Sequence, residues 1–214
     1  MSNEINELLS EDPGFPELLK SIADPPPTLY YIGTPTLMDT PCLAVVGSRK
    51  ATPYGKWVAY NIAKRTAEHG VTIVSGMASG IDACGHLGAL DAGGNTIAVL
   101  GCGPDICYPK TNRALMSRIS RLGLIISEYP PGTEPAPWQF PVRNRIISGL
   151  SYGTVVVEAD LDSGSLITAS KALEQGREVF AVPGNINSIF SKGTNRLIQD
   201  GAIPLTDIDD ILDL

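Results

Sequence analysis

The stretch Leu43-Ala-Val-Val-Gly-Ser-Arg-Lys-Ala-Thr-Pro-Tyr54 reads as a strand, a turn and the opening of a helix. Leu43, Ala44, Val45 and Val46 are apolar without alternation, the mark of a strand buried on both faces. Gly47, Ser48 and Arg49 make the turn, and Thr52 precedes Pro53 as a capping residue precedes a proline at the first helical position. Val58, Ala59, Ile62, Ala63 and Thr66 then recur at the spacing that keeps one helix face against a sheet, and Gly70 closes the unit. The unit repeats. Strands are predicted at 71–74, 96–100, 124–126, 154–157 and 179–182, with a weaker one at 202–205, and helices between them at about 80–91, 112–120, 142–150 and 165–174. Doubly buried strands alternating with helices define an α/β chain, an extended Rossmann-like doubly wound, mostly parallel sheet with helices on both faces.

Residues 1–40 differ. Asp24-Pro-Pro-Pro27 breaks any helix, and Leu29-Tyr-Tyr-Ile32 is a short β-like run closed by Gly33, so this N-terminal segment is too short to be a domain of its own and residues 41–214 form the main domain. The acidic Asp207-Ile-Asp-Asp-Ile-Leu212 reads as a solvated terminal helix.

With 214 residues, 43% of them apolar, the chain can bury one sizeable core. A net charge of −7 argues against a protein that coats nucleic acid non-specifically, so any anion site must be a local pocket. Cys42, Cys84, Cys102 and Cys107 are unevenly spaced and follow no apolar signal segment, which points to reduced thiols in a cytoplasm. Cys102 and Cys107 lack the second pair or nearby histidine that would complete a metal site. No run approaches the ~20 apolar residues of a membrane span. A soluble cytoplasmic protein is expected.

In open α/β sheets ligands bind beyond the carboxyl ends of the strands, so the loops leaving them belong together. Gly47-Ser48-Arg49, Ser75-Gly76-Met-Ala-Ser-Gly80, the loop from Gly101-Cys-Gly103 to Tyr108-Pro-Lys110, and Asp162-Ser-Gly-Ser165 share small residues, hydroxyls and two cations, Arg49 and Lys110. Small residues let backbone N–H groups approach a phosphate. Arg143-Asn144-Arg145 stands at an expected helix start, another place where anions are favoured. A polyanion is the natural ligand. Two steps of ~100° set Arg143 and Arg145 on nearly opposite sides of a helix, so Arg143 is expected to be the exposed contact and Arg145 a brace for Glu158 or a loop carboxylate.

A dinucleotide site is disfavoured, since the first turn holds the single Gly47 rather than a G-x-G-x-x-G. Neither a Walker loop nor a nucleophile elbow occurs, and no cofactor is implied. His69 at a helix end and His86 in mid-helix lack a nucleophile at motif spacing, and Asp82 reads as a loop brace, so no catalytic set is visible. Tyr54, Tyr108, Trp138 and Phe140 are the only plausible stacking partners for bases.

Several long motifs together resemble the DNA-processing protein A family, DprA or Smf. They are Ser75-Gly-Met-Ala-Ser-Gly-Ile-Asp82 with His86, Tyr108-Pro-Lys-Thr-Asn112, Phe140-Pro-Val-Arg-Asn-Arg-Ile-Ile-Ser-Gly-Leu150, Gly164-Ser-Leu-Ile-Thr-Ala169, Gly176-Arg-Glu-Val-Phe-Ala-Val-Pro-Gly184 and Gly193-Thr-Asn195. Phe15-Pro16, Asp24-Pro25-Pro26 and Leu29-Tyr30 fit as well, so the likeness runs from about residue 13 to 212. It implies a cytoplasmic bacterial protein, not an enzyme, that binds single-stranded DNA, protects incoming strands in natural transformation, loads the RecA recombinase and pairs as a homodimer. Arg49 and Lys110 match positions implied to contact the phosphate backbone, and Arg143, Asn144, Arg145, Ser165 and Asn195 sit in motifs lining the same face.

Ser79 and Leu87 stand where family members often carry basic residues, which weakens the positive pocket and points to modest affinity from one protomer. The family's small helical domain before this region and winged-helix domain after it are not seen in the chain. The rival is a nucleotide-binding or nucleotide-hydrolysing enzyme of the lysine-decarboxylase-like phosphoribohydrolase type, but Pro183-Gly-Asn185 stands where those carry Pro-Gly-Gly-x-Gly-Thr. An adaptor with a vestigial pocket is the third reading.

Overall fold

The computed structural model describes residues 4–212. Nine strands form one sheet: β1 (Asn6–Leu9), β2 (Thr28–Gly33), β3 (Cys42–Val46), β4 (Thr72–Ser75), β5 (Thr96–Leu100), β6 (Leu124–Ser127), β7 (Gly153–Val156), β8 (Glu178–Ala181) and β9 (Ile203–Pro204). Their order is β1-β2-β6-β5-β4-β3-β7-β8-β9, and every pairing from β6 to β9 is parallel. Only the two N-terminal strands run antiparallel, β2 on β6 and β1 on β2. The N-terminal segment thus extends the sheet past β6. The chain winds outward one way from β3 and then returns to its other side with β7, which puts the topological switch point between β3 and β7.

Among the described residues seven helices cover the sheet: α1 (Glu17–Lys20), α2 (Pro53–Glu68), α3 (Ile81–Asp91), α4 (Arg113–Leu122), α5 (Gln139–Gly149), α6 (Gly164–Glu174) and α7 (Lys192–Gln199). The expected periodicity of α2 is met: Val58, Ala59, Ile62, Ala63 and Thr66 are buried, and Thr52 Oγ1 caps the helix by accepting from Gly55 N. Two layers of core result. On one face Ile146, Ile147 and Leu150 of the α5 region and Ala169 and Ala172 of α6 pack on Ala44, Val74, Val99 and Ile126, with Leu19 of α1 beneath them. On the other, α2 and α3 cover Leu43, Val45 and Ile73, and α4 covers Ala98 and Ile125 through Leu115 and Ile119.

One helix boundary corrects the sequence reading. α5 begins at Gln139 rather than near 142, with Pro141 in its first turn, where a missing N–H costs nothing. Arg143, Asn144 and Arg145 therefore stand in the second turn and not at the helix start. The acidic tail is a single 3-10 turn, Asp209–Ile211, with Ile211 buried rather than wholly solvated.

Candidate functional site

Where β3 and β7 part, the chain leaves a cavity of about 700 Å³. Its walls come from the loops after β3 and β7, the first half of α5 and the N-terminus of α6. Six of the residues expected at the site line it: Gly47, Ser48, Arg49, Arg143, Asn144 and Ser165.

The loop after β3 is fixed at both ends. Ser48 N donates to Glu158 O at 2.7 Å, and Ile81 N donates to Ser48 O at 3.2 Å, so the turn is held between β7 and the start of α3. Gly80, at φ +81°, adopts a backbone that only glycine enters readily, and a Cβ there would collide with the carbonyls of Ser48 and Arg49. Arg49 and the adjoining Lys50 are left exposed at the cavity.

Arg143 is the correction of most consequence. Expected as an exposed contact, it is 4% exposed, and its guanidinium occupies the space a Cβ of Gly76 would fill. Nη1 donates to Val99 O at 2.5 Å, Nε has no hydrogen-bond partner, and no carboxylate lies within ion-pair distance among the described residues. Arg143 does face the cavity, but from its floor. Burial pushes its pKa down to about 10, which still leaves it charged at neutral pH, with Asp82 the main opposing influence. Phe140 separates the two arginines: the Arg49 guanidinium lies 5.4 Å from its ring centroid and that of Arg143 5.9 Å. Tyr108 packs on the same ring at 5.4 Å. Cations thus lead from the rim to the floor along one aromatic side chain.

Asn144 donates from Nδ2 to Gly164 O at 3.2 Å and ties α5 to the N-terminus of α6. Ser163 caps that helix, and its Oγ shares a 2.8 Å hydrogen bond with Ser165 Oγ. Carboxylates also line the cavity, Asp160 and Asp162 exposed at its edge and Asp82 buried.

The other six expected residues lie outside the lining. Ser75 is wholly buried and donates from Oγ to Val45 O at 2.7 Å. Gly76 N donates to Asp82 Oδ2 at 3.1 Å and Ala78 N at 3.3 Å, so the carboxylate braces the loop as expected. Burial raises the Asp82 pKa, against the pull of Arg143 and these two N–H groups. Gly80 serves as the hinge already described. Lys110 is exposed at the start of a short 3-10 turn, whose Asn112 donates to Met77 O at 2.8 Å. That bond helps hold the buried Met77 at φ 62°. Asn195 is a clamp: Nδ2 donates to Gly184 O at 2.9 Å, and Oδ1 accepts from Gly184 N at 3.1 Å.

Arg145 is a brace, though not for Glu158. Its guanidinium meets Glu128 with two 2.8 Å bonds, one to each carboxylate oxygen, and Nε reaches Asp24 Oδ2 at 3.1 Å. Glu158 instead accepts from Thr52 N at 2.9 Å and Thr52 Oγ1 at 2.5 Å, so it joins the end of β7 to the start of α2. Its expected ion pair with Arg143 or Arg145 does not form.

His86 is fully buried with Nδ1 2.7 Å from Thr96 Oγ1. Thr96 gives its own proton to Ile73 O, so His86 donates from Nδ1, and burial pushes its pKa down to about 3. Burial also pushes the thiol of Cys42 up to about 12 and that of Cys102 to about 11, so neither is a thiolate at neutral pH. No group of three or more His, Cys, Asp or Glu among the described residues is placed to hold a metal, and no described helix is long and apolar enough to cross a membrane.

Sequence reasoning missed Lys50, although it directly follows Arg49, and missed Phe190, which reaches the cavity from the turn Ile189–Ser191. It weighed Phe140 only for base stacking and not as the spacer between two guanidiniums.

A doubly wound α/β fold with a cation-bearing cavity at its switch point places the chain in the class of open-sheet proteins that bind their ligands beyond the carboxyl ends of the strands. The family described as DNA recombination-mediator protein A matches residues 6–214, and the chain belongs to it. It is 44% identical over 210 residues to the DNA processing protein DprA of Bacillus subtilis, covering 98% of this chain and 71% of that one. Its fold matches the DprA structure from Streptococcus pneumoniae with a TM-score of 0.94 at 43% identity, over 98% of this chain and 74% of the other. It also matches DNA processing protein A from Helicobacter pylori, described for its single-stranded DNA binding mode, with a TM-score of 0.89 at 34% identity over 98% and 94% of the two chains.

Proposed function

We propose that this protein binds single-stranded DNA at the switch-point cavity, in the cytoplasm of a cell that takes up or recombines DNA. The observation that carries the reading is the ladder of Arg49, Phe140 and Arg143 beside the N-terminus of α6, which offers cations and N–H donors to phosphate oxygens. Lys50 and the exposed Lys110 extend positive charge over the same end of the sheet. The likeness to a relative described for single-strand binding supports it. Binding rather than catalysis is its role. The strand is sheltered and passed to RecA, and two copies pair so that two cavities act on one strand.

Asp82, Asp160 and Asp162 offset Arg49, Lys50 and Arg143 at the cavity. One protomer then binds modestly, and pairing raises affinity through effective concentration. Titration of labelled oligo(dT) at low and moderate salt, beside a duplex of equal length and a nucleoside monophosphate, tests this. Single-strand preference that fades with salt is the expected result. Tight monophosphate binding with product release would replace the reading by the nucleotide-hydrolysing one, and no binding to any of the three would refute both.

A further inference from the structure

We propose that the floor of the cavity is an end-recognition site, in which Arg143 receives the terminal phosphate monoester of a DNA strand, a reading that rests on single-strand binding at this cavity. A buried guanidinium ordinarily has its donors matched. Arg143 uses one, toward Val99 O, while Nε is unpartnered and no carboxylate reaches it among the described residues. The side chain nonetheless lines the cavity, so an anion entering there meets an unmatched cation already stripped of water. The N-terminus of α6, beginning at Gly164, opens on the same cavity and is tied to α5 by Asn144, the next residue after Arg143.

The surroundings of Arg143 select the form of phosphate. Phe140 stands beside the guanidinium, the Gly76 backbone packs against Nη1, and Val99 O accepts a hydrogen bond from Nη1; the residue is 4% exposed. An internal phosphodiester carries a nucleoside on both sides and needs a way in and a way out. A terminal monoester needs only a way in. It also brings a second negative charge near neutral pH, which an internal diester lacks. Asp82 is the carboxylate whose charge acts on Arg143 at the floor, but it makes no ion pair with it and its Oδ2 is taken by Gly76 N and Ala78 N. Rim and floor then divide the work. Arg49 and Lys50 face passing internal phosphates, and Arg143 marks where a strand ends.

The test compares four oligo(dT) competitors of equal length in a fluorescence anisotropy assay at low salt: 5′-phosphorylated, 3′-phosphorylated, hydroxyl at both ends, and circular. One phosphorylated end should bind about tenfold tighter than the hydroxyl-ended and circular strands, in line with one added charge-assisted contact, and which end does so assigns the polarity. In Arg143→Gln that ratio should fall to about one, and Arg143→Lys should keep part of it. If Arg143→Gln fails to fold by circular dichroism, inorganic phosphate on the wild-type protein serves instead and should displace the preferred end while leaving the circular strand bound. Equal affinity for all four strands, or a ratio that persists in Arg143→Gln, overturns the proposal. Absence of binding by every strand would refute the single-strand reading and this proposal with it, whereas equal binding refutes this proposal alone.

Discussion

Replacing Gly55 with alanine inside a helix would ordinarily stabilise the protein by about 1 kcal/mol. Here the sign should reverse. A Cβ on Gly55 falls within 2.8 Å of Glu158 Oε1 and closer still to Oε2, so the carboxylate that ties β7 to α2 must move. Crowding of this kind costs about 1–3 kcal/mol; taken at its upper end, for a clash with both carboxylate oxygens, and set against the helix gain of about 1 kcal/mol, Gly55→Ala should lose about 2 kcal/mol net. Glu158→Ala removes both bonds to Thr52 and leaves two donors of a part-buried residue without their acceptor. Bonds to a charged group contribute about 1.5–3 kcal/mol each, and partial solvation of Thr52 offsets some of that, so a loss of about 3 kcal/mol is expected. With the carboxylate gone the alanine fits, and in the Glu158→Ala background Gly55→Ala should regain about 1 kcal/mol. Additivity would place the double variant about 5 kcal/mol below wild type; the geometry places it near 2. Thermal unfolding of the four proteins reads this directly. At about 2–4 °C per kcal/mol for a domain of this size, Gly55→Ala lowers Tm by about 4–8 °C alone and raises it by about 2–4 °C beside Glu158→Ala. Equal lowering in both backgrounds, additive within about 0.5 kcal/mol, would refute the contact.

Arg145→Ala strands the nearly buried Glu128 and should cost about 3 kcal/mol in urea unfolding, whereas Asp24→Ala, at a side chain 80% exposed, should cost less than about 1 kcal/mol. His86 stays neutral in the fold because its pKa falls from 6.5 to about 3, so the unfolded chain takes up a proton that the native one refuses. Its contribution to stability is full above about pH 6.5 and is lost as pH falls toward 3, amounting to about 2 kcal/mol between pH 7 and 5. Urea titrations at those two pH values should show this loss in wild type and its absence in His86→Asn. Arg49→Ala should weaken oligo(dT) binding and reduce the slope of log K against log salt by about 0.7 for each phosphate contact removed; an unchanged slope would remove Arg49 from the strand's path.

The apolar runs made the parallel strands legible because doubly buried strands leave few other readings; 96–100 was read to the residue. β1 carried no such signal. Three of its four residues are exposed, and it exists through pairing on β2 alone. The Thr52-Pro53 cap was legible because helix starts are local, while the acceptor of the bonds Thr52 itself donates lies 106 residues away in Glu158. The same distance problem hid the partners of Arg145, because a wheel gives the side a residue faces and not what waits there. Pro141 shifted the reading of α5 by one turn, since a proline before an apolar run marks a helix's first turn as readily as its eve. Ser75 from the composition of its loop and Asn195 from the family resemblance were both expected at the ligand face, yet both spend their hydrogen bonds on the backbone that shapes the loops.

The antiparallel docking of β2 on β6 has a consequence for how the chain is made. Arg145, whose Nε holds Asp24 O at 2.9 Å, emerges from the ribosome 121 residues after it. At a synthesis rate of about 5–20 residues per second, the N-terminal segment waits roughly 6–24 s for its anchor. Until β6 is made, β2, whose Leu29 and Ile32 are buried in the finished sheet, has only β1 to pair with. Order of synthesis and order in the sheet therefore disagree: the first two strands translated wait for the sixth before they join the sheet, and β7, β8 and β9 are made only after that for its far side.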